Sequence, residues 1–306
     1  MPELPEVQTT VNGLRQKIVG LKIMDIWSDY GGIYFKGTET VKDPSYFKRF
    51  RKNIVGKKII SVERRAKNIL INLSSNITIL VHMKMTGHLL YGHYRFKKEV
   101  TKDPWEPIEP EALKDSYNRH VHLVFTFSNH RHLALSDVRT FAKVVAMDSK
   151  MAHESVHLNS IGPEPLDTKF TFEKFEERLD LRPNGKVKQV LTDQSIIAGI
   201  GNIYADESLW RAGIHPLEPA KDIATKHRQL LFQAIKTTLS KGIDFGGDST
   251  SDYRNVNGEK GRFHETHRAY QRTGEKCSKP GCKGIITRLM IGGRSAHFCS
   301  EHQKLK

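Results

Sequence analysis

Residues 58–83 read KIISVERRAKNILINLSSNITILVHM. Three short segments rich in Ile and Val, Lys58–Arg64, Asn68–Leu73 and Ile77–Met83, follow one another across brief links. This pattern predicts consecutive β-strands. Working outward, Lys22–Trp27 reads as another strand. His120–Phe127 alternates apolar and polar residues before Ser128-Asn129-His130, a hairpin turn into Arg131–Leu135. Val7, Val11, Leu14 and Ile18 put an apolar stripe on a first helix over Leu4–Val19. Pro5 suits its first turn and Gly20 its end. Asp43-Pro44 opens a second, short helix. Many short strands with few helices predict a sandwich or barrel over residues 2–150. Within it, the polar stretch Tyr91–Tyr117, with Pro104, Pro107 and Pro110, is expected as a surface insertion or long loop.

Residues 151–165, ending in Gly162-Pro163-Glu164-Pro165, read as a linker. Beyond it the period becomes helical. Phe172–Leu179, Lys186–Leu191, Tyr204–Arg211 and Ile223–Leu239 are helices within a segment 166–262. Gly242–Gly261 is rich in Gly, Asp, Asn and Ser and reads as a flexible loop. A tail, 263–306, carries all three cysteines. The class is α+β with several domains.

The charge narrows the function. Lys and Arg number 49 against 34 Asp and Glu, a net +15 over 306 residues, which suits a polyanion. A membrane partner is not expected, since no run approaches the ~18 apolar residues of a spanning helix. Glu3 and Glu6 precede any apolar run, unlike a secretory signal. Cysteines confined to a short tail point to a metal site in a reducing compartment rather than to disulfides.

Cys277 and Cys282, then Cys299 and His302, form two close ligand pairs able to close one tetrahedral, structural Zn²⁺ site. His297 is a rival fourth ligand. Gly199-Ile200-Gly201-Asn202 precedes a helix, and its freed N–H groups can bind an anion, with the Asn202 amide beside them. At the N-terminus, Met1-Pro2-Glu3-Leu4-Pro5-Glu6 places a small residue after the initiator, so Met1 is expected to be removed. Pro2 then offers a secondary amine. Its reference, an α-amino group, titrates near about 7.7–8.0, far below Lys. Such an amine can attack an anomeric carbon and form an iminium. Glu3 and Glu6 beside it can divide acid and base roles. An ordinary helix start would also place Pro and Glu there.

MPELPEV, RRAKNILINL, Asp137-x-Arg139-x-Phe141, AGIGNIYADESLWRAGIHP and a cysteine tail ending in GRSAHFC occur in this order. Together they resemble formamidopyrimidine-DNA glycosylases, bacterial base-excision repair enzymes, from Pro2 to about Lys304. The resemblance implies an N-terminal β-sandwich with its first helix, a helix–two-turn–helix module over 166–262 and a zinc finger over 263–306. Damaged double-stranded DNA would lie in the cleft between the halves. The resemblance implies that Pro2 is the Schiff-base nucleophile, Glu3 the acid/base for sugar ring opening, and Glu6 its support. It assigns Lys67 to phosphate contact and proton donation in β-elimination, and Arg294 to δ-elimination. His82, Lys188 and Asn202 match further phosphate contacts, and Arg182 is a candidate beside them. Met85, Arg139 and Phe141 match residues that fill the gap left by an everted nucleotide.

Several positions depart from the family pattern. Lys84 stands where Gly is usual, Val138 and Thr140 where Pro and Arg are usual, and Asn118 where a DNA-contacting His is common. The expected activity is excision of oxidised purines such as 8-oxoguanine and formamidopyrimidines, followed by β,δ-elimination. The chain is expected to act as a monomer in the bacterial cytoplasm, at the nucleoid. The lesion-capping loop is expected within Gly246–Gly261. Two competing readings are an endonuclease VIII-like enzyme for oxidised pyrimidines and a DNA-binding relative without catalysis. Leu4 argues against the first, since Gly is usual there. The joint presence of Pro2, Glu3, Lys67 and Arg294 argues against the second.

Overall fold

The computed structural model describes residues 1–31, 33–100, 103–152 and 154–305. Residues 101–102 of the expected insertion, 153 of the linker and 306 of the tail lie outside the described residues. The chain forms two compact units, Met1–Asn159 with Gly246–Arg262, and Ser160–Phe245 with Phe263–Lys306.

The first unit begins with helix α1, Leu4–Ile18. Glu3 occupies the N-cap and Glu6 the third helical position, where its carboxylate accepts the Glu3 N–H at 2.7 Å. With the Glu3 side chain accepting the Glu6 N–H in return, this is a capping box, and it satisfies two of the helix's orphan donors. Leu4, Val7, Val11, Leu14 and Ile18 are fully buried, each worth about 1.5–3 kcal/mol of transfer free energy. Strand β1, Ile23–Ser28, precedes helix α2, Pro44–Ile54, whose N-cap Asp43 accepts the N–H groups of Ser45 and Tyr46. Then come β2 (Ile59–Arg65), β3 (Asn68–Leu73), β4 (Ile77–His82), β5 (His88–Phe96), β6 (Trp105–Glu109), β7 (Val121–Phe127), β8 (His132–Ser136) and β9 (Lys143–Asp148). They make two sheets, in the orders β2-β3-β4-β9 and β1-β7-β8-β5-β6, with every pairing antiparallel. Val62, Ile69, Ile71, Ile79 and Val81 of the first sheet share one core with Leu89, Leu123, Phe125, Leu133 and Leu135 of the second and with the α1 stripe. The result is a β-sandwich with a helix laid against β2 and β3.

Two expectations change here. Tyr91–Tyr117 is not one loop: it completes β5 and supplies β6, the outer strand of the five-stranded sheet. Pro107 is tolerated there because an edge strand need not donate on both sides. Leu113 of the insertion, with Trp105 packed against them, joins Leu90, Tyr94, Val121, Val124 and Ala134 on the second face of that sheet, so both faces are covered. Nor is Gly246–Arg262 a loose end of the helical segment. It packs with the first unit, where Tyr253 and Val256 are buried and the Val256 carbonyl accepts the Tyr91 N–H at 2.7 Å. Val256 occupies the space a side chain at Gly13 of α1 would need.

The second unit contains α3 (Phe172–Asp180), α4 (Val187–Thr192), α5 (Asn202–Ala212) and α6 (Thr225–Asp244), followed by the hairpin β10 (Ile286–Ile291) and β11 (Arg294–Cys299). The tail expected as a separate finger belongs to the same compact unit as the helices. Between α4 and α5 the chain makes two turns. Gln194 fastens them, accepting the Gly199 N–H at 2.9 Å and donating to the Ile200 carbonyl at 2.8 Å. Arg178 of α3 holds the carbonyls of Ser195 and Ile196.

Candidate active site and nucleic-acid interface

Pro2, Glu3 and Glu6 sit together at the buried start of α1. The Glu6 carboxylate is held from two sides: Oε2 accepts the Glu3 N–H at 2.7 Å, and Oε1 accepts the Asp248 N–H at 2.7 Å. The Glu6 carbonyl accepts from Tyr253 Oη at 3.0 Å and from Thr10 Oγ1 at 2.9 Å. A carboxylate fixed by two backbone donors cannot rotate freely, and through the Glu3 N–H it fixes the residue beside the expected nucleophile. Sequence reasoning missed Asp248 and Tyr253, which lie more than two hundred residues away, although the glycine pair before Asp248 was a signal. Gly247 has φ +87°, and a Cβ there would come within 3.0 Å of Glu6 Cγ.

The four-stranded sheet ends in a basic edge. Lys67, 5% exposed, follows Ala66 in the β2–β3 turn, and Ala66 takes φ +52°. His82 pairs across the ladder with Asn68 on one side and Lys143 on the other. Its Nδ1 accepts the Lys84 N–H at 3.0 Å, which makes Nε2 the protonated nitrogen of the neutral ring. Burial, then the charges of Lys84, Lys67 and Lys143, push its pKa down to about 3. His82 is therefore a neutral donor at physiological pH.

Met85 is 41% exposed just after Lys84, which takes φ +56°. This is why Gly is usual at position 84: a left-handed residue with a Cβ is strained by about 1 kcal/mol. Arg139 is exposed and lies over the ring of the half-exposed Phe141 at 4.5 Å. Buried Asp137 ties these two loops together. One oxygen takes the Thr86 hydroxyl at 2.5 Å, and the other takes the Ala142 N–H at 2.7 Å. Thr140 carries φ +53° and its carbonyl is held by Lys42 Nζ at 2.5 Å. Neither brace, Asp137 nor Lys42, was read as such in the sequence, although Asp137 heads the Asp-x-Arg-x-Phe motif.

Asn118, which stands where a DNA-contacting His is common in the family, is buried. It is 3% exposed, and its amide donates to the carbonyls of Ala112 at 2.8 Å and Gly258 at 3.1 Å while Oδ1 faces His88 Nε2 at 3.1 Å. Its polar atoms are spent inside the first unit. It braces the insertion.

In the second unit, Asn202 opens α5 behind N-cap Gly201, and its buried Oδ1 has no hydrogen-bond partner. Arg182 is exposed just past α3. Arg294 is exposed at the tip of the β10–β11 hairpin, after Gly292 and Gly293, both with positive φ. Lys188 is instead buried, 3% exposed, with Nζ 2.5 Å from Asp206 Oδ1 and also on the Ser295 carbonyl. The second Asp206 oxygen accepts both the backbone N–H and Nδ1–H of His297, each at 2.9 Å. Lys188 thus anchors β11 to α5 rather than presenting its charge.

Cys277, Cys282, Cys299 and His302 converge, their ligand atoms all within 4.8 Å of one another. Cys282 Sγ lies 3.5 Å from Cys299 Sγ, and His302 Nδ1 lies 3.5 Å from Cys277 Sγ. A tetrahedral site with about 2.3 Å metal–sulfur bonds needs sulfurs roughly 3.8 Å apart. Backbone N–H groups of Lys279, Gly284 and Glu301 point at the three sulfurs at 3.4–3.5 Å. His302 Nε2–H donates to the Trp210 carbonyl at 3.0 Å, which turns the Nδ1 lone pair toward the thiols. This donor set can hold a metal ion. His297, engaged with Asp206, is outside it.

A β-sandwich with a carboxylate-rich helix start, a helix–two-turn–helix unit and a four-ligand tail is the architecture of a class of DNA glycosylases. The family model described as the formamidopyrimidine-DNA glycosylase N-terminal domain matches residues 1–144, and the model of its H2TH domain matches 161–254. A formamidopyrimidine-DNA glycosylase of Pelotomaculum thermopropionicum is 35% identical over 306 residues, covering 100% of both chains. That of Heliobacterium modesticaldum is 37% identical over 304 residues, covering 99% of this chain and 100% of the relative. The Lactococcus lactis Fpg in complex with abasic-site DNA superposes with a TM-score of 0.81 at 29% identity, covering 99% of each chain. MutM in complex with DNA containing carbocyclic 8-oxo-G gives 0.81 at 30%, covering 99% and 100%. The chain belongs to the formamidopyrimidine-DNA glycosylase family. Among the described residues, no helix is long and apolar enough to cross a membrane.

Proposed function

We propose that this base-excision repair enzyme removes oxidised purines, 8-oxoguanine and formamidopyrimidines, from double-stranded DNA and then cleaves the strand by β,δ-elimination, working in the cytoplasm. The observation that carries the reading is the clamped start of α1, where Glu6 takes the N–H of Glu3 and of Asp248, beside Pro2. With Met1 removed, the Pro2 nitrogen lone pair attacks C1′ of the damaged nucleoside. The N-glycosidic bond breaks with its electron pair on the base, which leaves neutral after taking up the proton that the Pro2 nitrogen loses. Glu3 protonates the ring oxygen, the sugar opens, and an iminium joins Pro2 N to C1′. Loss of a C2′ proton then expels the 3′-phosphate, and a second elimination expels the 5′-phosphate.

In this reading Lys67 supplies phosphate contact and proton donation, and Arg294 on its exposed hairpin tip serves the second elimination. His82, through Nε2–H, Asn202 and Arg182 hold phosphates. Met85 with the Arg139–Phe141 pair fills the gap of an everted nucleotide. Lys188 and Asn118 act by holding the fold. Cys277, Cys282, Cys299 and His302 would hold one Zn²⁺, a closed structural site that supplies folding free energy to the tail.

Borohydride trapping on abasic-site DNA tests the reading. Wild type is expected to form a covalent adduct, and Pro2→Gly to lose most of it. Glu3→Gln is expected to suppress base removal more than cleavage of a preformed abasic site, which has already lost its base. Undiminished trapping by Pro2→Gly would move the nucleophile to another amine such as Lys67.

A further inference from the structure

The segment Gly246–Arg262 carries a cation that the chemistry above does not use. Arg254 is 1% exposed and heads the largest fully buried side chains. Arginine is almost never buried unless it is paired. Nη1 donates to the carbonyls of Ser251 at 3.1 Å and Tyr253 at 2.9 Å, while Nε and Nη2 face the Asp115 carboxylate at 3.3 and 3.4 Å. The guanidinium lies over the Tyr117 ring at 4.4 Å, a cation–π contact. Asp115 and Tyr117 belong to the insertion between β6 and β7, as does Asn118, which donates to the Gly258 carbonyl at 3.1 Å.

The same segment reaches the catalytic end from its other side. Asp248 N–H lies on Glu6 Oε1 at 2.7 Å, and Tyr253 Oη donates to the Glu6 carbonyl at 3.0 Å. Between these points Ser249 Oγ donates to the Tyr253 carbonyl at 2.6 Å, the acceptor that Arg254 also grips, and it accepts the Gly261 N–H at 2.9 Å. Hydrogen bonds, joined covalently through Tyr253 and through the Asp248–Ser249 backbone, therefore link the insertion to Glu6 and, through Glu6, to the Glu3 N–H.

We infer that Gly246–Arg262 is a strap and that Arg254, seated on Asp115 and Tyr117, is a positioning residue for Glu6 and Glu3. The insertion is then the buttress of the catalytic end. The inference rests on the catalytic roles proposed above for Pro2 and Glu3. Without the strap, Glu6 Oε1 loses its Asp248 donor, the carboxylate is held less tightly, and the acceptor of the Glu3 N–H is less well fixed. The step that depends on Glu3 should suffer first.

The test uses full-length Arg254→Met, which keeps the bulk and removes the donors, with Asp115→Asn as a milder variant and Arg254→Lys as the conservative one. In single-turnover assays Arg254→Met is expected to slow excision of 8-oxoguanine at least tenfold and cleavage of a preformed abasic site less than threefold. Affinity for abasic-analogue duplex should stay within twofold. Hydrogen exchange at the Asp248 amide should quicken tenfold or more. Asp115→Asn should move each readout the same way by less, and Arg254→Lys should recover part of the excision rate. If Arg254→Met does not fold, Asp115→Asn carries the test alone. Equal losses in both steps, or full excision with a freely exchanging Asp248 amide, would overturn the inference. A wild type that neither excises nor traps would overturn the catalytic reading instead, and that outcome needs no variant.

Discussion

Two hairpins in this molecule each deliver a cation, and they are built on opposite terms. In the sandwich, β2 and β3 turn through Ala66 at φ +52° and bring up Lys67, which is 5% exposed. In the tail, β10 and β11 turn through Gly292 and Gly293, both left-handed, and bring up Arg294, which is exposed. Val62, Ile69 and Ile71 root the first hairpin in the large core between the sheets. The second has a small cluster, Cys277, Ile286 and Cys299, and is held by the thiol–imidazole group and the Lys188–Asp206–His297 network. A large core can tolerate a strained turn and a buried amine. A small one needs glycine in the turn and polar anchors behind it.

The widest difference expected between them is in response to chelation. Metal binding of this kind is worth about 10 kcal/mol or more to a small structural site. Stripping the metal, or Cys299→Ser, is expected to unfold β10–β11 and abolish DNA binding while the sandwich stays folded. Zinc content together with near-UV circular dichroism checks this. Zinc bound in His302→Ala but lost in His297→Ala would reverse the ligand set.

Next is the ion pair. Asp206→Asn leaves Lys188 buried beside a neutral partner, at a cost of about 3–5 kcal/mol. A second change, Lys188→Met, should restore most of it. Thermal unfolding of the two single variants and the double variant measures the coupling. Additive losses would show that Asp206 does not pair with Lys188 in solution.

The basic edge around Lys67 has its own signature. His82 takes a proton near pH 6.5 in the unfolded chain, but only at about 3 in the folded one. Below pH 6.5 the unfolded state binds more protons, so stability falls as pH drops from 6.5 toward 3. The slope from this residue is about 1.4 kcal/mol per pH unit. His82→Gln is expected to remove that slope in urea titrations at pH 5 and 7. An identical slope in the variant would place the titration elsewhere.

Smallest are the turns themselves. Ala66→Gly is expected to stabilise by up to about 1 kcal/mol, since relief of the left-handed alanine outweighs the extra chain entropy of glycine. Gly293→Ala, with nothing within 4 Å to clash, should destabilise the tail by about 1 kcal/mol through φ alone. Chemical denaturation of each gives the sign. Equal signs would undo the contrast between the hairpins.

What was legible in the sequence was whatever one element decides for itself. The β3 strand at Asn68–Leu73 and the α1 stripe fall where periodicity puts them, because a run of Ile and Leu has few other options in water. The β5–β6 region was not legible. Its outer strand reads Trp-Glu-Pro-Ile-Glu, polar enough for a loop, and it forms because Trp105 packs against a sheet face made by residues far along the chain. The burial of Lys188, matched in the sequence to a phosphate contact, was not legible because its partner, Asp206, is set only when α4 and α5 meet. The Asn118 bonds to Ala112 and Gly258 were hidden for the same reason, and the glycines of Gly246–Arg262 suggested freedom where they permit close contact with Glu6.

The clamp on Glu6 also bears on synthesis. Its Asp248 donor lies 242 residues downstream. A ribosome adding roughly 5–20 residues per second needs on the order of ten to fifty seconds to supply it. Until then the nascent chain holds a helix start with one carboxylate tether missing, while Ser160–Phe245 of the second unit is made in between. Assembly of the first unit is therefore discontinuous in time as well as in sequence, and a polypeptide truncated before residue 248 would carry Pro2 and Glu3 without the finished clamp.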